Sequence, residues 1–343
     1  MAVQGSKIQS IQFLRFVAAT LVVLFHSHLA ISTRLSPDSA VDRDLYLFGF
    51  GAVGVHIFFV ISGYIMVLTN SRPDRPFSAK QFYKKRFVRI YPIYWLIAVL
   101  YLVINPLLGF TYELTPYSLL SSFLLLPDHA PLIIGPAWTL AYEMYFYLIF
   151  GLAMIFGLLR GLILLSLFFI LSMATGVFAR PENEFLALMT NSLLAEFLVG
   201  AWIAWVTLRV RFPAWMGYAA LAGSVLLYAG GIAIGYESMP SAIIWGIPSA
   251  LLIFGAVVLE RHIQPEFVTR LSPLGDSSYT LYLVHILLIN VLMAAALTMQ
   301  LESLPILLMT AVFTVIAVLF SHKFHLAVEA PMTTRLTSWF KRF

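Results

Sequence analysis

The stretch Ile11-Gln-Phe-Leu-Arg-Phe-Val-Ala-Ala-Thr-Leu-Val-Val-Leu-Phe-His-Ser-His-Leu-Ala-Ile31 decides the class of this chain. A helix crosses a bilayer with about 20 predominantly apolar residues, and this run meets that length. Its apolar character begins near Ile11 with no small-residue cleavage site behind it. It therefore reads as a first transmembrane helix rather than a secretion signal.

Working outward, comparable runs lie at 47–69, 91–110, 137–158, 161–179, 187–208, 215–236, 242–259, 278–298 and 303–322. With 11–31 they predict an all-α polytopic membrane protein of about ten spans. Tyr117–Leu126 is apolar but too short to cross, and Pro116 and Pro127 bracket it. It reads as a short or re-entrant helix on the outer side. The composition agrees: 61% of the residues are hydrophobic and 11% charged, against roughly half and a quarter in soluble domains. The absence of cysteine excludes disulfides, thiolate metal sites and cysteine nucleophiles, and no metal site is expected. No soluble domain, internal repeat or low-complexity tract interrupts the pattern, so 1–343 reads as a single membrane domain.

The net charge of +5 is explained by topology rather than by nucleic acid. With the N-terminus inside, the inner segments hold Lys7, then Arg72, Arg75, Lys80, Lys84, Lys85, Arg86 and Arg89, then Arg160, Arg209, Arg211, Arg261, Arg270, Lys323, Arg335, Lys341 and Arg342. The outer segments hold only Arg34, Arg43 and Arg180. That asymmetry places both termini in the cytoplasm.

Ionisable residues inside spans are costly, and each is a functional candidate. Arg15 and His26 are eleven residues apart, about three turns, so they share one helix face at a separation of about 16 Å. His26 lies about five residues below the outer face and Glu143, in the fourth span, about six below it. Matching depth predicts a pair in which the carboxylate orients the imidazole and supports its cation. The structural alternatives are a snorkelling Arg15 and a buried ion pair. His28 points away from His26 and reads as a bystander. Arg86 and Arg89, at i and i+3 ahead of Tyr94 and Trp95, suit an anionic cofactor with an aromatic ring, although such a cluster can also serve topology and anionic lipid alone. His56 and Ser62 in span two, and Tyr282 and His285 in span nine, are further candidates. Glu182, Glu184 and Glu237 read as solvated loop residues.

Five segments taken together resemble one known family. They are Arg15 and His26 spaced in span one, Phe58-Phe-Val-Ile-Ser-Gly-Tyr64, Arg86-Phe-Val-Arg-Ile-Tyr-Pro-Ile-Tyr-Trp95, Trp138-Thr-Leu-Ala-Tyr-Glu143 and Ser278-Tyr-Thr-Leu-Tyr-Leu-Val-His285. In this order they resemble the membrane-bound acyltransferase-3 family, over Ile8 to about Pro331, and within it the bacterial enzymes that O-acetylate exopolysaccharide or lipopolysaccharide. The resemblance implies about ten spans in the bacterial cytoplasmic membrane. It implies an acyl group, usually acetyl, taken from cytoplasmic acyl-coenzyme A as donor substrate, with no permanently bound cofactor. The acceptor would be a polysaccharide or its lipid-linked precursor at the outer face. Arg15 and His26 would be essential and Arg86 and Arg89 would bind the donor. Two departures follow: relatives commonly carry Asp where His56 stands, and the C-terminal hydrolase-like domain of some relatives has no counterpart here.

On this basis the donor's phosphates dock on Arg86, Arg89 and Arg15, and the pantetheine arm threads up to His26, which Glu143 orients as base. An acyl-histidine route is equally compatible. The alternatives are a transporter or flippase, for which no inverted repeat or paired broken helices are evident, and a scaffold, which leaves the buried charges unexplained.

Overall fold

Helix is the only regular secondary structure among the described residues of the computed structural model, which are 7–35, 48–71, 77–111, 113–126, 132–235 and 238–341. Arg43, Arg72, Arg75, Pro127, Glu237, Arg342 and the side chain of Lys341 lie outside them. Ten segments are long and apolar enough to cross a membrane, and the chain is a multi-pass membrane protein.

The first three spans are α1 (Gln9–Leu35), α2 (Val53–Asn70) and α3 (Ala79–Leu107). A short α4 (Pro116–Leu124) precedes α5 (Trp138–Ala153) and α6 (Leu158–Ala179). The sixth span is broken into α7 (Glu184–Met189) and α8 (Leu194–Thr207), followed by α9 (Ala214–Ile234). The eighth opens with a π-turn at Ala242–Gly246 and continues as α10 (Ile247–Glu260). The ninth joins α11 (Glu266–Leu271) through a 3-10 turn to α12 (Ser278–Thr298). The tenth, α13 (Ile306–Phe324), passes through a π-turn at His325–Glu329 into α14 (Ala330–Lys341). Odd spans therefore begin, and even spans finish, at the end of the bundle that carries the basic residues.

Two differences from the sequence reading shape the interior. The third span starts at Ala79 rather than near 91, capped by Ser78, whose hydroxyl accepts from the Gln81 N–H at 3.4 Å. Pro92 and Pro106 lie inside this helix without ending it, because a break within the bilayer would strand backbone groups away from water. At 29 residues it is about 43 Å long against a hydrocarbon core of about 30 Å. Its basic first turns, including Arg86 and Arg89, therefore form part of the helix rather than of a loop.

The second difference concerns the segment around α4. A capping box at Thr115 and Ser118 starts this helix. Its last carbonyls accept hydrogen bonds from the middle of α3: Tyr94 Oη to Ser122 at 2.7 Å, Trp95 Nε1 to Phe123 at 2.8 Å and Tyr91 Oη to Leu124 at 2.9 Å. Those donors lie 12 to 16 residues before Leu107, about 18–24 Å down the helix. The α4 segment thus descends into the bundle, the re-entrant form of the expected short helix. Non-helical backbone at that depth is tolerated because protein donors satisfy it.

Packing between α2 and α8 is close. A Cβ on Gly63 would overlap the Phe197 carbonyl, and one on Gly200 the Val60 carbonyl, the small-residue contact typical of membrane helices. Phe197 stacks on Phe59 and on Phe146 with centroids 4.6 Å apart in each case, which ties α5 to the same core.

Candidate functional site

A cavity of about 510 Å³ opens among α1, α2, α3, α5, α12 and α14 at the basic end. Its walls carry Arg15 from α1, Ser62 from α2, Lys85, Arg86 and Arg89 from α3, Glu143 and Tyr147 from α5, Tyr279 and Tyr282 from α12, and Thr333 and Thr337 from α14. Six residues singled out in the sequence, Arg15, Ser62, Arg86, Arg89, Glu143 and Tyr282, are thus brought together.

Cations outnumber the carboxylates available to them. Lys7 is taken by Asp276 at 2.7 Å, and Arg89 Nη1 lies 3.7 Å from Glu329 Oε1. Among the described residues Arg15 donates only to Gln12 Oε1, at 3.1 Å. Arg86 sits over the Tyr147 ring, 5.7 Å from its centroid, and its buried Nε has no acceptor among the described residues. Neither Arg15 nor Arg86 has a carboxylate within ion-pair distance among the described residues. Guanidinium groups in this state favour an anionic ligand with phosphate-like oxygens.

Glu143 is held from two sides. Ser62 Oγ donates to its Oε1 at 2.6 Å, and the Tyr147 hydroxyl, one turn further along α5, donates to the same oxygen. Above the cavity, the Tyr282 hydroxyl donates to the Pro136 carbonyl at 2.8 Å and meets Thr139 Oγ1 at 2.7 Å.

Beyond Tyr282 stand two imidazoles. His26 Nδ1 is 2.9 Å from the Val22 carbonyl, and since a carbonyl can only accept, that nitrogen carries the proton and Nε2 keeps its lone pair. His285 has the same arrangement, with Nδ1 2.8 Å from the Tyr282 carbonyl. The two rings are 5.0 Å apart, and the Tyr282 ring is 5.9 Å from that of His285. His285 is fully buried and its Nε2 has no partner among the described residues, whereas His26 is half-buried.

The expected hydrogen-bonded pair of His26 and Glu143 is not formed. The depth count assumed that span four begins at the outer face, whereas the re-entrant segment delivers α5 at the level of Tyr282. His285, which packs on His26, is three residues above Tyr282, and Glu143 is four residues below Thr139. The carboxylate therefore lies about 10 Å nearer the basic end than the imidazole. The Val22 carbonyl, not Glu143, fixes the ring of His26.

Tyr94 and Trp95 are corrected as well. Their polar atoms satisfy the end of α4, and neither lines the cavity. His56 lies apart from the cavity, its Nδ1 2.6 Å from Glu196 Oε1 in a buried pair. Glu182 and Glu184 are exposed, as expected.

Sequence reasoning missed two acceptors, Glu196 and Glu329, and one donor, Tyr147. Glu196 was legible as a carboxylate inside the sixth span. Tyr147 and Glu329 were legible as i+4 partners of Glu143 and His325. Glu329 is fully buried; its Oε2 accepts from His325 Nδ1 at 2.6 Å and from Thr280 Oγ1 at 2.5 Å. It occupies a π-turn, an irregularity frequent at functional sites.

The chain matches the family described as Acyltransferase domain over residues 8–322. It is 29% identical over 306 residues to the exopolysaccharide production protein ExoZ of Rhizobium meliloti, covering 86% of this chain and 94% of that protein. It is 29% identical over 305 residues to the putative membrane-bound transacylase BcsY of Komagataeibacter xylinus, covering 81% and 72%. With the acyltransferase MdmB of Streptomyces mycarofaciens it shares 26% identity over 325 residues, covering 83% and 79%. No solved structure matches the chain. A match over nearly the whole chain, on a bundle that gathers the cations and histidines of the sequence motifs, shows that this protein belongs to the acyltransferase family and is a multi-pass membrane O-acyltransferase.

Proposed function

We propose that the enzyme takes an acyl group, in the first instance acetyl, from acyl-coenzyme A at the basic end of the bundle. It passes the group to a hydroxyl of a polysaccharide, or of its lipid-linked precursor, approaching from the opposite end. The observation that carries this reading is the cavity itself. Arg15 and Arg86 enter it without carboxylate partners among the described residues, and its far wall, Tyr282, stands next to the two imidazoles. A donor with anionic phosphates at one end, a long arm and a reactive thioester at the other has that distribution of chemistry. The similarity to a protein named for exopolysaccharide production favours a glycan acceptor.

In this reading the phosphates lie against Arg86, Arg15 and Arg89, and the arm runs past Glu143 and Tyr282. His26 Nε2 removes the proton of the acceptor hydroxyl as its oxygen attacks the thioester carbon. An acyl-His26 intermediate is the covalent variant of the same geometry. The basic end, with both termini, faces the cytoplasm of a bacterial inner membrane, where acyl-coenzyme A is made. Membership of an acyltransferase family sets aside the transporter and scaffold alternatives. Coenzyme A release from acetyl-coenzyme A by the purified protein tests the donor. Release that requires His26 is expected, and release unaffected by His26→Ala would overturn the assignment.

A further inference from the structure

Among the buried polar atoms that the described residues leave without a hydrogen-bond partner, one is an imidazole nitrogen beside His26. His285 is fully buried, its Nδ1 proton is committed to the Tyr282 carbonyl, and its Nε2 lone pair has no partner among the described residues. Buried polar atoms are almost always satisfied, so an orphan at this position calls for a reason. Its ring is 5.0 Å from that of His26 and 5.9 Å from that of Tyr282, which lines the cavity. The order from the cavity inward is therefore Tyr282, His285, His26.

We propose that His285 is a second catalytic imidazole, which receives from His26 the proton taken from the acceptor and returns it to the departing thiolate. The inference rests on the acyl-coenzyme A reading above and goes beyond it. A donor threaded from the basic end places its sulfur one bond short of the acyl carbon, on the cavity side. When the carbon reaches His26, the sulfur lies toward Tyr282 and His285. The steps balance. The acceptor O–H bond breaks and its proton joins His26 Nε2, while oxygen bonds to the thioester carbon. The proton moves to His285 Nε2, the C–S bond breaks, and the thiolate takes that proton. Both imidazoles return to their starting tautomers, and no net charge stays in the membrane interior, where an isolated ion is costly. A neutral imidazole beside His26 thus takes up the proton without leaving a buried anion between turnovers, while the Val22 carbonyl orients His26.

The test exploits the leaving group. A selenol is a much stronger acid than a thiol, so selenolate departs without being protonated. Transfer of labelled acetyl into the glycan and lipid fraction of inverted membrane vesicles is measured with acetyl-coenzyme A and with its selenium analogue. His285→Gln is expected to lose about 10²–10⁴-fold with the thioester and to recover to within about tenfold of wild type with the selenoester. His26→Ala keeps its loss of about 10²–10⁴-fold with both donors. Equal losses of His285→Gln on the two donors, or a loss below about tenfold on the thioester, would overturn the proposal and leave His285 a packing residue. If His285→Gln does not fold, as read by melting temperature, the wild type decides. Its solvent deuterium isotope effect should fall when the selenoester replaces the thioester, and an unchanged effect refutes the relay. A wild type inactive with both donors would overturn the donor reading and this inference together.

Discussion

Arg86 and Arg89 are one turn apart, yet their truncation should have different consequences. Arg86 has no ion-pair partner among the described residues, and its Nε is already unsatisfied. Arg86→Ala should therefore remove donor contacts and little else. One charge-assisted hydrogen bond is worth about 1.5–3 kcal/mol, which corresponds to about a 10- to 150-fold loss of coenzyme A affinity. Arg89 also neutralises Glu329, whose Oε1 lies 3.7 Å away and has no hydrogen bond among the described residues. Arg89→Ala should lose affinity on a similar scale, and in addition lose about 1–3 kcal/mol of stability because a buried carboxylate oxygen is left without a cation. The double variant Arg89→Ala/Glu329→Gln should recover melting temperature but not affinity, since removing both partners costs less than stranding one. Calorimetric titration of coenzyme A into detergent-solubilised protein, alongside thermal melts, separates the two effects. Wild-type affinity in Arg86→Ala would refute the reasoning, as would a melting temperature in the double variant no higher than in Arg89→Ala.

Other outcomes follow from the same geometry. His26→Ala should cut turnover about 10²–10⁴-fold with coenzyme A affinity unchanged, and a parallel fall in both would mark it as structural. Because Glu143 and His26 are not bonded, the turnover losses of Glu143→Gln and His26→Asn should combine multiplicatively; strong non-additivity would restore the pairing expected from the sequence. Tyr94→Phe should cost about 0.5–1.5 kcal/mol of stability by freeing the Ser122 carbonyl, without altering donor affinity. Cysteines placed at Ser39 and Ser78 should label oppositely with an impermeant reagent in intact cells, and equal labelling would remove the assigned orientation.

The amount legible in the sequence follows from what counting along a helix can and cannot see. Length and hydropathy are local, so the ten spans, the short helix between Pro116 and Leu124 and the charge-bearing end were all readable. The convergence of Arg15, Ser62, Arg86, Arg89, Glu143 and Tyr282 was partly readable, because each polar residue in a bilayer must face protein or ligand. The partner of His26 was not. Axial depth depends on where a span begins, and α5 begins deep in the bundle because the preceding segment re-enters it. The same event misled the reading of Tyr94 and Trp95, whose aromatic character suggested a ligand while their polar atoms serve the carbonyls of α4. Glu329 was overlooked because the tenth span was taken to stop before it, whereas the helix continues through a π-turn that carries the carboxylate to Arg89.

The central claim, that donor and acceptor meet from opposite ends of the bundle at His26, has a direct test. Inverted membrane vesicles and right-side-out vesicles from the same cells are given acetyl-labelled coenzyme A, which does not cross the bilayer. The glycan fraction is then analysed for ester-linked label. The account predicts label only with inverted vesicles, on the glycan enclosed within them, released by mild alkali and absent with His26→Ala. Labelling of right-side-out vesicles to the same extent, or label that alkali does not release, would contradict it.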